Sequence, residues 1–523
     1  MKPARALLWS ALLLVGTLGA SRSPSPSPAS PSTPRIPEKY LPKFIRASCE
    51  GLTHLYLPNA TITLAQRVLS GSFTPPGAPG PLTGLPPFCR VAGISRPTSD
   101  SKIGFEVWIP ESAYNGKYLQ VGNGGFAGAI PYGPIAYGLM RGYATAGTDD
   151  GAVSDTTDPP APLPLLPIYA LSHPERVIDF GYRAIKETTD KSKAVISALK
   201  GAAPARSYFH GCSDGGREAL MEAERYPADF DGILVGAPAN YWTHQFMGFA
   251  WDTQKNYALG SLTPRLPPTS LFAITNTVLA QCVGKDGGAV TDKFLTDPPK
   301  CKPDFSSMSC AHPHRLGAVC LSPEQIGVVQ AIYDGPSDSM GHQIMTGFAP
   351  GSEADPDGWR AWITSAPGLI TFQGYFGYGF LAYMVHHTGA YDVHSFNFDA
   401  DVATTDAAMA DKLNSNDPNL AAFKSHGGKI IHYAGWNDPA ATPLNSTRYY
   451  NEVVSAMGGA SHTSDFYRLF MAPGMSHCTG GPGPNAFGNG ADAPTVDPEH
   501  DILRALEHWV EDEVAPTQII ATK

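Results

Sequence analysis

The chain has 523 residues, a formal net charge of −10 and 42% hydrophobic residues spread along its length, enough to bury one large core or a core with a sizeable insertion. The acidic balance and the absence of any basic run argue against nucleic acid or an anionic membrane as partner. No stretch after the first 20 residues has the length of a membrane-spanning helix,.

Residues 1–20 open with Lys2 and Arg5, continue through an apolar run and end in Gly19-Ala20, the pattern of a secretory signal peptide. Residues 21–37 are a Ser/Pro-rich extended linker, and no cysteine near the cleavage site supports a lipid anchor. A secreted or periplasmic location follows, and eight cysteines are compatible with it,. Residues 49–89 are rich in turn formers and are expected to pack outside the main sheet. Residues 103–110 alternate as a strand. A second strand, 117–121, runs into Gly122-Asn123-Gly124-Gly125-Phe126-Ala127-Gly128. Such a loop lets backbone N–H groups approach a substrate oxygen closely, and a phosphate role is disfavoured because no lysine follows the glycines. The strand around Thr145 ends in Asp149-Asp150-Gly151, which reads as turn chemistry rather than a general-acid pair. Apolar residues at helical spacing over 177–199 predict the crossover helix that a parallel sheet requires.

Tyr208-Phe209-His210-Gly211-Cys212-Ser213-Asp214-Gly215-Gly216-Arg217 follows. An apolar strand, Gly-x-Ser-x-Gly and a helix-forming segment make a nucleophile elbow, which predicts an α/β-hydrolase fold with Ser213 at the tip of a strained turn. A serine hydroxyl is a weak nucleophile without a base, so an acid and a histidine should follow in that order. Residues 429–435 read as a buried strand with Asp438 in the loop after it; residues 466–471 read as another, followed by His477. Ser213, Asp438 and His477 therefore arrive at one sheet edge, with His477 as base and Asp438 holding its second ring nitrogen. Cys212 and Cys478 flank the nucleophile and the base, and a disulfide between them would hold the two in register.

Between these motifs, residues 240–421 break the strand and helix rhythm, and they read as an inserted lid dividing a catalytic domain of residues 38–239 and 422–523. The lid is dense in aromatics, and 372–383 is the candidate substrate wall. His386 and His387 lack a partner at ligand spacing and are poor candidates for zinc. Asn59 and Asn445 lie in glycosylation sequons. Residues 502–510 form a closing amphipathic helix.

Gly-Cys-Ser-Asp-Gly-Gly, the Asp438 loop and Pro-Gly-Met-Ser-His-Cys together resemble the tannase and feruloyl esterase family of α/β-hydrolases, which also includes hydrolases of terephthalate monoesters. The resemblance runs from about Cys49 to about Trp509. It implies disulfides pairing Cys49 with Cys89, Cys212 with Cys478, Cys282 with Cys301 and Cys310 with Cys320. It also implies oxyanion-hole donors at the N–H groups of Gly122 and Asp214. A structural Ca2+ in the lid is implied through a loop containing Asp286 and Asp292, although Val283 and Lys285 depart from the acidic pattern of such loops. No organic cofactor is expected. The implied activity is hydrolysis of phenolic acid esters such as feruloyl or galloyl esters, free or attached to plant polymers. A terephthalate monoester ranks lower, because no arginine lies between Arg360 and Arg448 and the remaining lid arginines are Arg265 and Arg315. A general carboxylesterase and a non-catalytic, calcium-dependent extracellular binding protein are the alternatives.

Overall fold

The computed structural model describes residues 46–69, 71–154, 158, 166–312, 319–490 and 492–523. The predicted signal and linker, and Arg315, lie outside the described residues.

Nine strands form one sheet: β1 (Ala60–Val68), β2 (Phe88–Ser95), β3 (Ile103–Pro110), β4 (Lys117–Val121), β5 (Ala144–Thr148), β6 (Arg206–Cys212), β7 (Gly232–Gly236), β8 (Lys429–Gly435) and β9 (Tyr467–Ala472). Their spatial order is β1-β2-β3-β5-β4-β6-β7-β8-β9. The first three pair antiparallel with one another, and β3 pairs antiparallel with β5. From β5 across to β9 every pair is parallel. The inner strands are near-continuous apolar runs because both faces of a parallel sheet are covered; every residue of β5 and β7 is buried.

Among the described residues the α-helices of eight or more residues are α1 (Tyr132–Met140), α2 (Ala184–Lys200), α3 (Asp214–Arg225), α4 (Trp242–Asn256), α5 (Leu271–Cys282), α6 (Pro323–Asp334), α7 (Phe372–Gly379), α8 (Asp401–Leu413), α9 (Pro443–Ala456) and α10 (Ile502–Asp512). Period-two alternation sends neighbouring side chains to opposite faces of the sheet. Phe209, Ile233, Val235 and Ile430 pack with α2, α3 and α9, whereas Tyr208, Leu234 and Ile431 pack with α1 and α10. The crossover helix α2 ends at Gly201, whose φ of +77° suits a residue without a Cβ,.

Residues 49–89 do not pack outside the sheet. Residues 60–68 supply its edge strand β1, which a bulge between Ile62 and Leu64 takes out of period-two alternation, so that its buried residues are Ile62, Ala65 and Val68. The described part of 240–421 contributes no strand to the sheet. Its apolar residues form a third cluster, joined by Phe126, Tyr169, Val177 and Phe180 from before the elbow. The cysteines pair as the resemblance implies: 49 with 89, 212 with 478, 282 with 301 and 310 with 320. Asn59 is exposed, but Asn445 is buried and donates to the Asn240 side chain at 2.8 Å, which removes the second sequon as a glycan site.

Candidate active site

Strand β6 delivers Ser213 to the carboxyl edge of the sheet and α3 starts at the next residue. Ser213 has φ +67° and ψ −122°, a strained conformation that a non-glycine residue keeps only when its surroundings enforce it. They do so by close approach. A Cβ on Gly211 would lie 2.1 Å from the Gly215 carbonyl oxygen, and one on Gly215 would lie 2.9 Å from the Asn123 carbonyl oxygen. The Ser213 N–H donates to Gly236 at 3.0 Å and its carbonyl accepts from Ala239 at 3.1 Å.

The two predicted partners converge on the serine. His477 Nε2 lies 2.8 Å from Ser213 Oγ and its Nδ1 lies 2.8 Å from Asp438 Oδ2. The other oxygen, Asp438 Oδ1, accepts the N–H groups of Ala440 and Ala441 at 2.8 and 2.9 Å. Asp438 is 1% exposed, so its carboxylate is fixed by three donors in a dry site. The Cys212–Cys478 disulfide ties together residues 266 apart in sequence, each adjacent to a member of this hydrogen-bonded chain.

The oxyanion assignment changes at one position. The Gly122 N–H extends the β4 and β6 ladder and donates to the His210 carbonyl at 2.9 Å, so it is not available to a substrate. Gly122 has a packing role instead: a Cβ there would lie 2.6 Å from Gly215 Cα and 2.7 Å from Glu218 Oε2. Among the described residues no protein acceptor takes the amides of Asp214 or Gly125. Gly125 has φ +59°, and a Cβ on it would meet the Phe376 ring at 3.3 Å.

The family model described as tannase and feruloyl esterase matches residues 89–523. The chain belongs to that family. It is similar to an uncharacterized esterase of Xanthomonas campestris, 39% identical over 91% of this chain and 84% of that protein. It is also similar to a probable feruloyl esterase B-1 of Aspergillus fumigatus, 31% identical over 87% and 85%. Among solved structures, feruloyl esterase B from Aspergillus oryzae superposes with a TM-score of 0.79 at 28% identity, covering 90% of each chain. Tannin acyl hydrolase from Aspergillus niger shares the fold, with a TM-score of 0.69 at 23% identity and coverage of 89% and 86%. The protein is a carboxylic ester hydrolase.

In this family member an aromatic surface adjoins the histidine. The Trp362 ring stands edge-on to His477 with centroids 5.7 Å apart, and it packs against Phe372 and Phe376 at 5.2 and 5.9 Å. The expected wall over 372–383 therefore divides. Phe372 and Phe376 border Trp362, whereas Phe380, Leu381 and Tyr383 are at most 2% exposed and belong to the core. Gln373 donates to the Pro439 carbonyl at 3.1 Å, which ties α7 to the Asp438 loop. His386 stacks on Tyr391, and His387 Nδ1 lies 3.1 Å from the Ala170 carbonyl, in keeping with structural roles.

The expected calcium loop does not present a cation cage. Asp286 Oδ1 accepts the Gly288 N–H and Oδ2 accepts those of Thr296 and Asp297, while Asp292 Oδ2 accepts the Ala289 N–H. Burial works against the Asp286 charge, and these amide donors nonetheless hold its carboxyl below the usual range. Lys300 Nζ reaches the Asp286 carbonyl at 3.5 Å and Asp297 at 3.0 Å. With both carboxylates turned to backbone N–H groups and an ammonium beside the loop, the residues present do not fit a hard dication.

Sequence reasoning missed a buried acidic group beneath the elbow. Carboxylate oxygens of Asp150, Asp214 and Glu218 lie within 4.8 Å of one another. Arg217, fully buried, donates to Asp214 Oδ1 at 2.6 Å and to the carbonyls of Gly181 and Phe180, and its guanidinium lies over the Phe180 and Trp242 rings. Burial raises the Asp214 carboxyl to about 7 against the pull of Arg217. Burial also raises Glu218, and it raises Asp150 well above the carboxylate range with help from the Glu218 charge. The available signal was the i, i+4 spacing of Asp214 and Glu218 on one face of α3.

Proposed function

We propose that the protein is a secreted serine esterase that hydrolyses esters of phenolic acids by acyl transfer through Ser213. The observation that carries this is the hydrogen-bonded line Ser213, His477, Asp438 beside the Trp362 and Phe376 rings. Ser213 Oγ attacks the ester carbonyl as His477 Nε2 takes its proton, and Asp438 stabilises the imidazolium. The Asp214 N–H and the Gly125 N–H are the oxyanion donors in this reading, each commonly worth about a hundredfold or more in rate. The alcohol leaves with the proton from His477, and water repeats the sequence to release the acid. The rings beside His477 favour a planar acyl group.

A free carboxylate on the substrate would require a cation near those rings. Arg265 is held by Glu324 and by the carbonyls of Gln254, Lys255 and Tyr257, whereas Arg360 is exposed two residues before Trp362; the ranking of neutral phenolic esters above terephthalate monoesters rests on the lack of any arginine between Arg360 and Arg448. Calcium is not part of the proposal. Four disulfides suit an oxidising compartment, and no helix among the described residues is long and apolar enough to cross a membrane.

Hydrolysis of methyl ferulate, methyl gallate, methyl benzoate, a terephthalate monoester and p-nitrophenyl butyrate, compared between the wild type and Ser213→Ala, tests the reading. A phenolic ester should lead in kcat/KM and the variant should be inactive. A lead for the butyrate would make the enzyme a general carboxylesterase, and an active Ser213→Ala would dismiss the triad.

A further inference from the structure

The glycine loop and the elbow helix are unusually close, and one residue stitches them together. Gly122 and Gly215 approach so tightly that neither position has room for a Cβ. Asn123 then uses both of its backbone groups on α3: its carbonyl accepts the Gly215 N–H at 2.9 Å and its N–H donates to Glu218 Oε2 at 3.0 Å. Its side chain is fully engaged as well, donating to Ala129 and Thr148 and accepting from the Gly124 N–H. Beyond Gly124, whose N–H the Asn123 side chain takes, the next amide along the loop is that of Gly125, and the first amide of α3 is that of Asp214. These are the two N–H groups assigned above to the oxyanion.

We propose that Glu218 is a positioning residue: by accepting the Asn123 N–H it locks the glycine loop to the elbow helix and thereby sets the spacing of the two oxyanion donors. Glu218 touches no reacting atom, so it acts through Asn123. A buried carboxylate is costly to leave unpaired, and Glu218 is 0% exposed. Asp150 is equally buried, no hydrogen-bond partner among the described residues takes its carboxyl oxygens, and a carboxyl oxygen of it lies within 4.8 Å of one of Glu218. Two adjacent buried carboxyls do not both ionise, and whichever of them holds the proton, Glu218 Oε2 accepts the Asn123 N–H. The inference rests on the acyl-transfer reading and adds the element that keeps the oxyanion site assembled in the free enzyme.

The test compares Glu218→Leu, which removes the acceptor at similar volume, with Glu218→Gln, whose amide oxygen still accepts the Asn123 N–H. Each is assayed for kcat and KM on methyl ferulate, for inhibition by the product ferulate, and for inhibition by an aryl boronic acid. In the boronic adduct Ser213 Oγ bonds to boron and a boron-bound oxygen occupies the oxyanion position. Glu218→Leu should lose about tenfold to a hundredfold in kcat, since misplaced donors act only on the charged tetrahedral state. Boronic acid affinity should fall by a similar factor, while KM and ferulate inhibition stay within about threefold. Glu218→Gln should remain within about threefold of wild type throughout. A natively folded Glu218→Leu with unchanged kcat and boronic acid affinity overturns the proposal, as does a Glu218→Gln as impaired as the leucine variant. Should Glu218→Leu not fold, hydrogen exchange of the wild type decides: a peptide spanning 122–126 that exchanges as fast as an exposed loop excludes the lock. Ser213→Ala separates the two levels of failure, because an inactive Ser213→Ala beside a fully active Glu218→Leu removes only the positioning role.

Discussion

Replacing Asp438 by asparagine tests the hydrogen-bonded line at its least replaceable point. Asp438 does two separable jobs. Oδ1 accepts the amides of Ala440 and Ala441, which fixes the loop, and Oδ2 accepts the Nδ1–H of His477. An asparagine oxygen can keep the two loop bonds, but its NH2 group then faces Nδ1 and cannot accept a proton from it. The imidazole takes the other tautomer, with hydrogen on Nε2, and loses the lone pair that must receive the Ser213 proton. For a triad in this geometry the expected loss is about 10⁴ in kcat, equivalent to about 5 kcal/mol of barrier. Stability should move little, because both loop N–H groups keep an acceptor. Asp438→Ala should instead lose activity and also about 2–5 kcal/mol of stability, since two buried amides and the imidazole are left unpaired. The assay is kcat on methyl ferulate alongside urea unfolding of both variants. An Asp438→Asn that retains more than a tenth of the wild-type kcat, or that unfolds as easily as the alanine variant, would refute the assignment.

Trp362→Ala should lower kcat/KM for methyl ferulate about tenfold more than for ethyl acetate, because each lost ring contact beside His477 is worth roughly 0.5–1.5 kcal/mol; equal losses on both esters would show that the ring does not read the acyl group. Prolonged incubation with a calcium chelator should leave both activity and Tm unchanged, given that Asp286 and Asp292 are turned to backbone amides; a drop in Tm restored by Ca2+ would overturn that reading of the loop. Asp355, which accepts from Asn437, the neighbour of Asp438, at 2.7 Å, has its carboxyl raised by burial from 3.8 to about 6. A carboxyl raised on folding stabilises below its unfolded pKa and loses that contribution as pH rises through the folded one. Asp355→Asn should therefore gain stability relative to wild type as pH climbs from about 4 to about 6.5, by at most about 3 kcal/mol; a difference independent of pH, measured by denaturant unfolding across that range, would count against it.

What could be read from the chain alone divides along a physical line. Elbow, acid and base were legible because each sits at the end of a short apolar strand, and a parallel sheet brings all such ends to one edge wherever the strands fall in sequence. The same logic brings Asp438 and His477 to the edge where Ser213 stands, across the 240–421 segment, which contributes nothing to the sheet among its described residues. The identity of the oxyanion amides was not legible, because the glycine pattern of 122–128 says that backbone can approach but not which N–H groups the adjoining strand takes. Here the β4 and β6 ladder runs one residue past Val121 and uses the Gly122 N–H, and the Asn123 side chain takes that of Gly124, which is why the proposed donor is Gly125. Trp362 was only one of many aromatics for a related reason: its contact with His477 is made from a single helical turn, Trp359–Trp362, too short to give a period in the sequence.

The acidic group under the elbow follows from the same closeness that makes the elbow work. Gly-x-Ser-x-Gly brings two backbones nearly into contact, and a helix that starts inside that contact has its first-turn side chains buried from the outset. Any polar residue in that turn must find its partners within the protein. Arg217 does so through Asp214 and two carbonyls, Glu218 through the Asn123 amide, and Asp150, from a different strand end, is left to complete the set. Replacing these side chains by apolar ones of similar size would relieve the desolvation cost of burying charge. It would also remove the acceptor for Asn123 and the partner of Asp214, the residue whose amide faces the reacting ester in the proposed mechanism. Retaining buried charge at this position is therefore reasonable as a requirement of catalytic geometry, and a stable but slow variant at Glu218 is the outcome that would separate that requirement from a stabilising role.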